Sequence, residues 1–269
     1  MRTPSPPSTS RRARVAETVT GGRHEHGQNF LRDRRVAASI ADVVFGWPRH
    51  PLVEFGPGDG AITDVIAARM PLTAVEIDQR YVARLRARHG RRVRVVHGDL
   101  LEYRMPRPSN LVSNVPFHLT TPLLRRLFAD RSWQHALLVL QWEVARKRAG
   151  VGGATLMTAE WWPWYEASLL RRIPARAFSP APSVDAGLLH LERRTSLMVP
   201  VSESRAYRHL VRRVFGARGR GAVAMAANVV GTQAAQEWAR GTGVETSALV
   251  RSVSAGQWAA LHRIAAPRR

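Results

Sequence analysis

At 269 residues with no cysteine, the chain can bury a full core, and disulfides and thiolate metal sites are excluded. A formal net charge of +21 on a chain that is 45% apolar describes a globular protein with a polyanionic partner, nucleic acid before membrane. No apolar run approaches the ~20 residues of a membrane span.

Nearly all the positive charge is arginine, Lys147 being the only lysine. A GC-rich genome and selection for phosphate binding explain that bias equally well. Met1 to Gly22 is rich in Ser, Pro, Thr and Arg without an apolar h-region, so it is no secretory signal. It reads as a flexible basic arm or as a plain disordered terminus. Cytoplasmic residence is the default expectation.

From Leu52 a regular alternation begins. Leu52 to Phe55 reads as a buried strand, and Ile62 to Met70 as a helix ended by Pro71. A strand over Thr73 to Ile77, a helix over Tyr81 to Arg88 stopped by Gly90, and strands at Val93 to His97 and Leu111 to Ser113 follow. Pro122 to Phe128 reads as a helix, Ala136 to Gln141 as a strand, and Trp142 to Arg148 as a basic helix. Gly150 to Gly153 is a loop, and Trp164 to Ile173 and Gly187 to Glu192 read as late antiparallel strands. Short apolar strands separated by amphipathic helices imply βαβ units and a doubly wound, mostly parallel sheet.

Past Arg194 the texture becomes helical, with segments at Ser204 to Phe215, Ala234 to Arg240 and Gln257 to Ile264. The organisation expected is a basic arm over 1–23, an α/β domain over 24–194 and a helical domain over 195–269. Arg208, Arg212 and Arg213 belong to an arginine cluster at the start of the helical part, and Arg146, Lys147 and Arg148 close the basic helix. A solvated face accounts for some of these charges. The scarcity of interleaved acids favours contact with nucleic acid.

In open α/β sheets ligands sit beyond the carboxyl ends of the strands, where strand order reverses. Gly56, Gly58 and Gly60 fall there, in a turn that permits positive φ and close backbone approach. The spacing Gly-x-Gly-x-Gly after Glu54 departs from the dinucleotide Gly-x-Gly-x-x-Gly and suits S-adenosylmethionine, which has no pyrophosphate. Glu76 ends the next strand, where a carboxylate can accept both hydrogen bonds of a ribose diol; an exposed Glu beside an Asp78 helix cap is the plainer alternative. Asp99 follows the third strand, where it can accept from an adenine amino group or simply form a Gly-Asp turn.

Asn114-Val115-Pro116-Phe117 stops the fourth strand with a proline that stiffens the loop. The Asn114 side-chain oxygen and the Val115 or Pro116 carbonyl could accept the two protons of an adenine N6 amine, with Phe117 stacking on the base. Methyl transfer to that amine needs positioning more than a strong base. An ordinary turn after a strand has the same pattern. Phe178, in a proline-stiffened loop, is either a second aromatic against the base or a buried loop anchor. The run Trp161-Trp162-Pro163-Trp164-Tyr165 reads as core packing before base stacking. The ten histidines show no metal-ligand spacing, and no metal is expected.

Gly27-Gln28-Asn29-Phe30-Leu31, Glu54 to Gly60, Val75-Glu76-Ile77-Asp78, Gly98-Asp99-Leu100-Leu101, Asn114 to Phe117 and the Phe178 loop occur in the order found in the rRNA adenine-N6-methyltransferases. The chain resembles the Erm branch of that family over residues 24–194, and more loosely beyond. The resemblance implies a Rossmann-like class I S-adenosylmethionine-dependent methyltransferase fold, with a mixed, mostly parallel seven-stranded sheet and a small C-terminal all-α domain. It implies N6-methylation, once or twice, of one adenine in the peptidyl-transferase region of 23S rRNA, with resistance to macrolides, lincosamides and streptogramin B. Gln28, Asn29 and Leu31 would line the methionine end of the cofactor, with Gly56 and Gly58 in the turn against it. Glu76 would hold the ribose and Asp99 the adenine. Asn114 would touch both cofactor and target amine, beside Pro116, with Phe117 and Phe178 holding the base.

Many relatives carry Tyr where this chain has Phe117. The Pro57 variant of the glycine turn is closer to the small-subunit dimethyltransferases of 16S rRNA, the second reading. A non-catalytic nucleic-acid-binding relative is a third, and the +21 charge argues against a small-molecule methyltransferase. A monomer is expected.

Overall fold

Alternating apolar residues give the central strands two faces to bury. In this computed structural model, which describes residues 29–266, those faces hold two separate cores. Leu111, Leu138 and Leu140 enter one core, and Val112, Leu137 and Val139 the other. A period of two on strands covered from both sides is what a doubly wound sheet demands.

The described residues begin with a short strand β1 (Phe30–Leu31) and helix α1 (Arg34–Phe45). There follow β2 (Leu52–Phe55), α2 (Ala61–Ala67), β3 (Leu72–Glu76), α3 (Gln79–His89), β4 (Val93–His97) and β5 (Ser109–Asn114). Helix α4 (Thr120–Ala129) leads to β6 (Trp133–Gln141), α5 (Trp142–Arg148) and α6 (Leu156–Trp161). Then come β7 (Tyr165–Ile173), β8 (Phe178–Ser179) and β9 (Ala186–Arg193). Four helices end the described chain: α7 (Ser204–Gly216), α8 (Ala222–Val230), α9 (Thr232–Thr242) and α10 (Ala255–Ala265).

Seven strands form one sheet in the order β4-β3-β2-β5-β6-β9-β7, parallel from β4 to β6. Strand β9 runs antiparallel to both β6 and β7, as expected of the late strands. Helices α1, α2 and α3 cover one face through Ile40, Ile66 and Leu85. On the other face α4 supplies Leu123, Leu124 and Leu127, and the same core continues into α7 to α10 through Tyr207, Trp238 and Trp258. Order reverses between β2 and β5, which opens a crevice at their carboxyl ends.

The aromatic run is core, as its pattern suggests. Trp164 and Tyr165 are buried, Tyr165 stacks on Trp133 at 5.0 Å, and the Trp164 indole donates to the Val199 carbonyl at 2.9 Å. Trp161 and Trp162 are half-buried.

Three helices lie outside the predicted set. Helix α1, capped by the Asp33 carboxylate, buries a narrow stripe at Val36, Ile40 and Val44. Helix α6 has six residues, too few to show a period, and α8 is almost uniformly apolar, so no polar face marks it. Helix α2 stops at Ala67, short of the expected Met70, where the Arg69 and Met70 amides turn back to the Ile66 carbonyl. No described helix is long and apolar enough to cross a membrane.

Candidate active site

The crevice is built by the loop after β2. Gly56, Gly58 and Gly60 have φ of 63°, 53° and 87°, in the left-handed region that side chains resist. A Cβ at Gly58 would come within 2.7 Å of the Phe30 ring, so the close approach of β1 also requires glycine there. At Gly56 a Cβ would meet nothing within 4 Å, because it would project into open space.

Glu76 ties this loop to the end of β3. Its two carboxylate oxygens each accept a backbone N–H, from Gly58 and from Asp78, both at 2.9 Å. Each oxygen therefore has one accepting position left for a ligand rather than two. Asp78 caps α3 by accepting from the Arg80 amide at 2.8 Å. Asp99 accepts from the Leu101 amide at 2.7 Å and shapes its own turn.

Two cavities flank Gly56 and Pro116, which line both. One, of about 150 Å³, is walled by Val75, Glu76, Ile77, Gly98, Asp99 and Leu119. The other, of about 40 Å³, lies among Asn29, Leu31, Glu54, Asn114, Phe117 and Phe178. Every expected cofactor or base residue within 29–266 borders one of these cavities. Gln28, His24, His26 and the basic arm lie outside the described residues.

Asn114 ends β5 half-buried, and its amide nitrogen donates to the Asn29 carbonyl at 2.9 Å. That bond fixes the amide and leaves its oxygen as the acceptor. The Pro116 carbonyl accepts from the Leu119 amide at 2.8 Å in the turn that carries Phe117. No described residue donates to the Val115 carbonyl, so of the two expected carbonyl acceptors Val115 is the uncommitted one. Phe178 is buried and lines the cavity as well, and β8 pairs Phe178 with Leu31 of β1. Both roles expected of it, loop anchor and cavity wall, are therefore compatible.

Several contributors escaped sequence reasoning. The Phe30 ring covers Gly58 and packs on Tyr81 at 5.4 Å. Ile77 is 55% exposed in the larger cavity, an apolar surface for a flat ring. Arg126 donates to the Leu100 and Tyr103 carbonyls behind the Asp99 turn, and burial pulls its pKa down. Glu54 is buried at the floor of the smaller cavity, accepting from the Thr63 hydroxyl at 2.7 Å, and desolvation pushes its pKa up to about 8. The strand over Leu52 to Phe55 already implied that Glu54 is buried, but not its bond to Thr63 or its place on the cavity.

Only three of the six basic residues expected to hold RNA line a common groove. Arg148, Arg208 and Arg212 line a groove between α4, α6 and α7, whereas Arg146, Lys147 and Arg213 lie outside it. Arg148 is half-buried and donates to the Thr155 and Thr158 hydroxyls, a structural commitment that a motif search cannot see. Arg146 pairs with Glu143 at 3.0 Å, and Arg212 with Glu160. Sequence spacing also hid one cluster: His135, His190 and Glu192 bring ligand atoms within 4.8 Å of one another on neighbouring strands. Its two imidazoles are 3.3 Å apart and stack against Trp47, away from the strand ends that form the crevice.

This sheet order, with polar ligands at successive strand ends around a glycine turn, defines the class I methyltransferase fold, whose methyl donor is S-adenosylmethionine. Residues 19–266 match the model of the ribosomal RNA adenine dimethylase family, and the chain belongs to that family as an rRNA adenine methyltransferase. Mycinamicin-resistance protein MyrB of Micromonospora griseorubida is 48% identical over 266 residues, covering 96% of this chain and 85% of its own. Ribosomal RNA small subunit methyltransferase A of Geobacter metallireducens is 33% identical over 207 residues, 71% and 75% of the two chains. The crystal structure of 23S rRNA methyltransferase ErmE superposes with a TM-score of 0.80 at 30% identity, covering 88% of this chain and 99% of that one.

Proposed function

We propose that the enzyme methylates N6 of one adenine in the peptidyl-transferase region of 23S rRNA, in the cytoplasm, and so confers macrolide, lincosamide and streptogramin B resistance. The observation that carries the chemistry is the Asn114 amide, locked by Asn29 with its oxygen left to accept, in the cavity shared with Phe117 and Phe178. The 48% identity to a mycinamicin-resistance protein, against 33% to a small-subunit enzyme, favours the 23S target.

The residues fit S-adenosylmethionine. Gly56, where a Cβ would meet no protein atom, borders both the cavity at Glu76 and Asp99 and the smaller one at Asn114. The cofactor supplies an electrophilic methyl group when bound. Glu76 and Asp99 would accept from its ribose and adenine, Ile77 would offer an apolar face to the ring, and Asn29, Leu31 and Gly58 would hold the methionine end. Asn114 Oδ1 and the Val115 carbonyl would accept the two amine protons of the target, which would hold the amine with its lone pair free to attack. Phe117 and Phe178 hold the extruded base; stacking of this kind is worth ~1–3 kcal/mol. The amine would leave carrying the methyl group in place of one proton, which passes to solvent.

Primer extension on 23S and 16S rRNA from a sensitive host expressing the enzyme tests the reading. A stop at the peptidyl-transferase adenine with raised macrolide tolerance is expected. Modification confined to 16S rRNA would overturn the 23S assignment.

A further inference from the structure

A second groove, several times the volume of either cavity of the cofactor crevice, lies elsewhere on the described molecule. It has a volume of about 1100 Å³ and lies at the opposite edge of the sheet, where the α/β part meets α7. Arg107 precedes β5, Arg131 precedes β6, and Arg193 and Arg194 lie where β9 ends at that same edge. Asn114 is at the other end of β5, so a strand of six residues separates the two sites, roughly 20 Å at ~3.3 Å per residue.

Eight arginines line this groove against one carboxylate, Glu160. Four are committed to the protein. Arg148 bonds Thr155 and Thr158, Arg193 the Trp133 and Asp130 carbonyls, and Arg194 and Arg212 pair with Glu166 and Glu160. The other four, Arg107, Arg125, Arg131 and Arg208, make no ion pair among the described residues, and Arg208 donates only to the Ser204 carbonyl one turn back in its own helix, at 3.3 Å. Arg208 lies 4.5 Å over the half-buried Trp161 ring, and Leu156 and Leu197 are exposed at the rim. A solvated helix face would spread such charges out and intersperse acids. Here arginines from α4, α7 and three inter-element segments converge on one concavity, and the field they sum to attracts an anion.

We propose that this groove is a second RNA-binding site, holding the phosphodiester backbone of the substrate rRNA at a distance from the target nucleotide. Arg107, Arg125, Arg131 and Arg208 contact phosphates, and Arg208 on Trp161 adds a flat surface beside them. The groove contributes affinity and register and no chemistry, because it is a strand's length from Asn114. The assignment rests on an rRNA substrate and holds for either ribosomal subunit.

The test is the exposed triple variant Arg107→Gln/Arg125→Gln/Arg131→Gln in the full chain, with folding checked by its melting temperature. Methylation kinetics and salt-dependent binding are measured on a long rRNA fragment and on a short hairpin that carries the same adenine. On the long fragment KM should rise about tenfold, and the log–log salt slope of binding should fall by about 2–3, at ~0.7–0.9 per lost phosphate contact. On the hairpin KM and kcat should be unchanged. Equal KM and salt slope for wild type and variant on the long fragment would overturn the groove assignment, as would an equal loss on both RNAs. Failure of the 23S reading has a different signature: the wild type itself leaves 23S fragments unmodified, and the same comparison is then made on the 16S fragment it modifies.

Discussion

The side-chain nitrogen of Asn114 donates to the backbone carbonyl of Asn29 at 2.9 Å, across 85 residues of sequence. The bond ties the segment before α1 to the crevice and fixes which end of the amide is left to accept. In the proposed mechanism Asn114→Ala removes the acceptor for the reacting amine. Turnover should fall by about 10²–10³, the usual cost of one preorganised polar contact in a transition state. Cofactor affinity, measured calorimetrically, should change by no more than a few-fold. Persistent turnover would refute the amine-holding role.

The parallel half of the sheet was legible because its strands are short, apolar at their centres and separated by amphipathic helices, a pattern with few alternatives. The site was legible where it lies in one stretch of chain, as in Gly56 to Gly60 or Asn114 to Phe117. What escaped depends on residues far apart in sequence. Phe30 matters because it covers Gly58, and Arg126 because it reaches the loop after β4. The arginines of the long groove come from loops and helices between Arg107 and Arg212, and no window of sequence contains them together. Arg148 shows the converse: a basic run on a helix marked it for RNA, yet the fold turns it toward Thr155 and Thr158.

Gly56 and Gly58 should respond differently to a methyl group. Both hold positive φ, which costs an L-residue ~1–2 kcal/mol. Gly58→Ala adds a clash with Phe30, so it should lower the melting temperature by several degrees and also weaken cofactor binding. Gly56→Ala meets no protein atom, and its methyl enters the space assigned to the cofactor. It should cost at least tenfold in cofactor affinity with the smaller change in melting temperature. Equal affinity losses and equal thermal shifts would remove the distinction drawn between the two glycines.

The two phenylalanines of the smaller cavity are likewise separable. Phe117 is half-buried in a short turn, whereas Phe178 is buried and belongs to the β1–β8 ribbon. Phe117→Ala should raise the KM for RNA about 10- to 100-fold, the equivalent of ~1–3 kcal/mol of stacking, at nearly constant melting temperature. Phe117→Tyr should keep most activity, because the ring face remains. Phe178→Ala should also lower stability, by ~3–5 kcal/mol if the site does not collapse. A thermal shift for Phe117→Ala as large as that for Phe178→Ala would contradict this division.

Glu54 gives the crevice a pH signature. Burial raises its pKa from 4.5 to about 8, against the opposing hydrogen bond from Thr63. A carboxyl whose pKa is higher in the folded state contributes stability that is complete below the unfolded value and is lost as pH rises through the folded one. The cofactor-free protein should therefore lose stability from about pH 5 to pH 8.5, relative to Glu54→Gln, which cannot ionise. The variant's advantage in melting temperature should grow with pH across that window. Cofactor binding brings a sulfonium and an ammonium toward this cavity, and a nearby cation favours the carboxylate. At pH 7 binding should then expel up to one proton from Glu54. Calorimetric titration in two buffers of different ionisation enthalpy reads that proton directly: the apparent binding heats should differ for the wild type and coincide for Glu54→Gln. Coincident heats in the wild type would mean that Glu54 does not face the cofactor's charge.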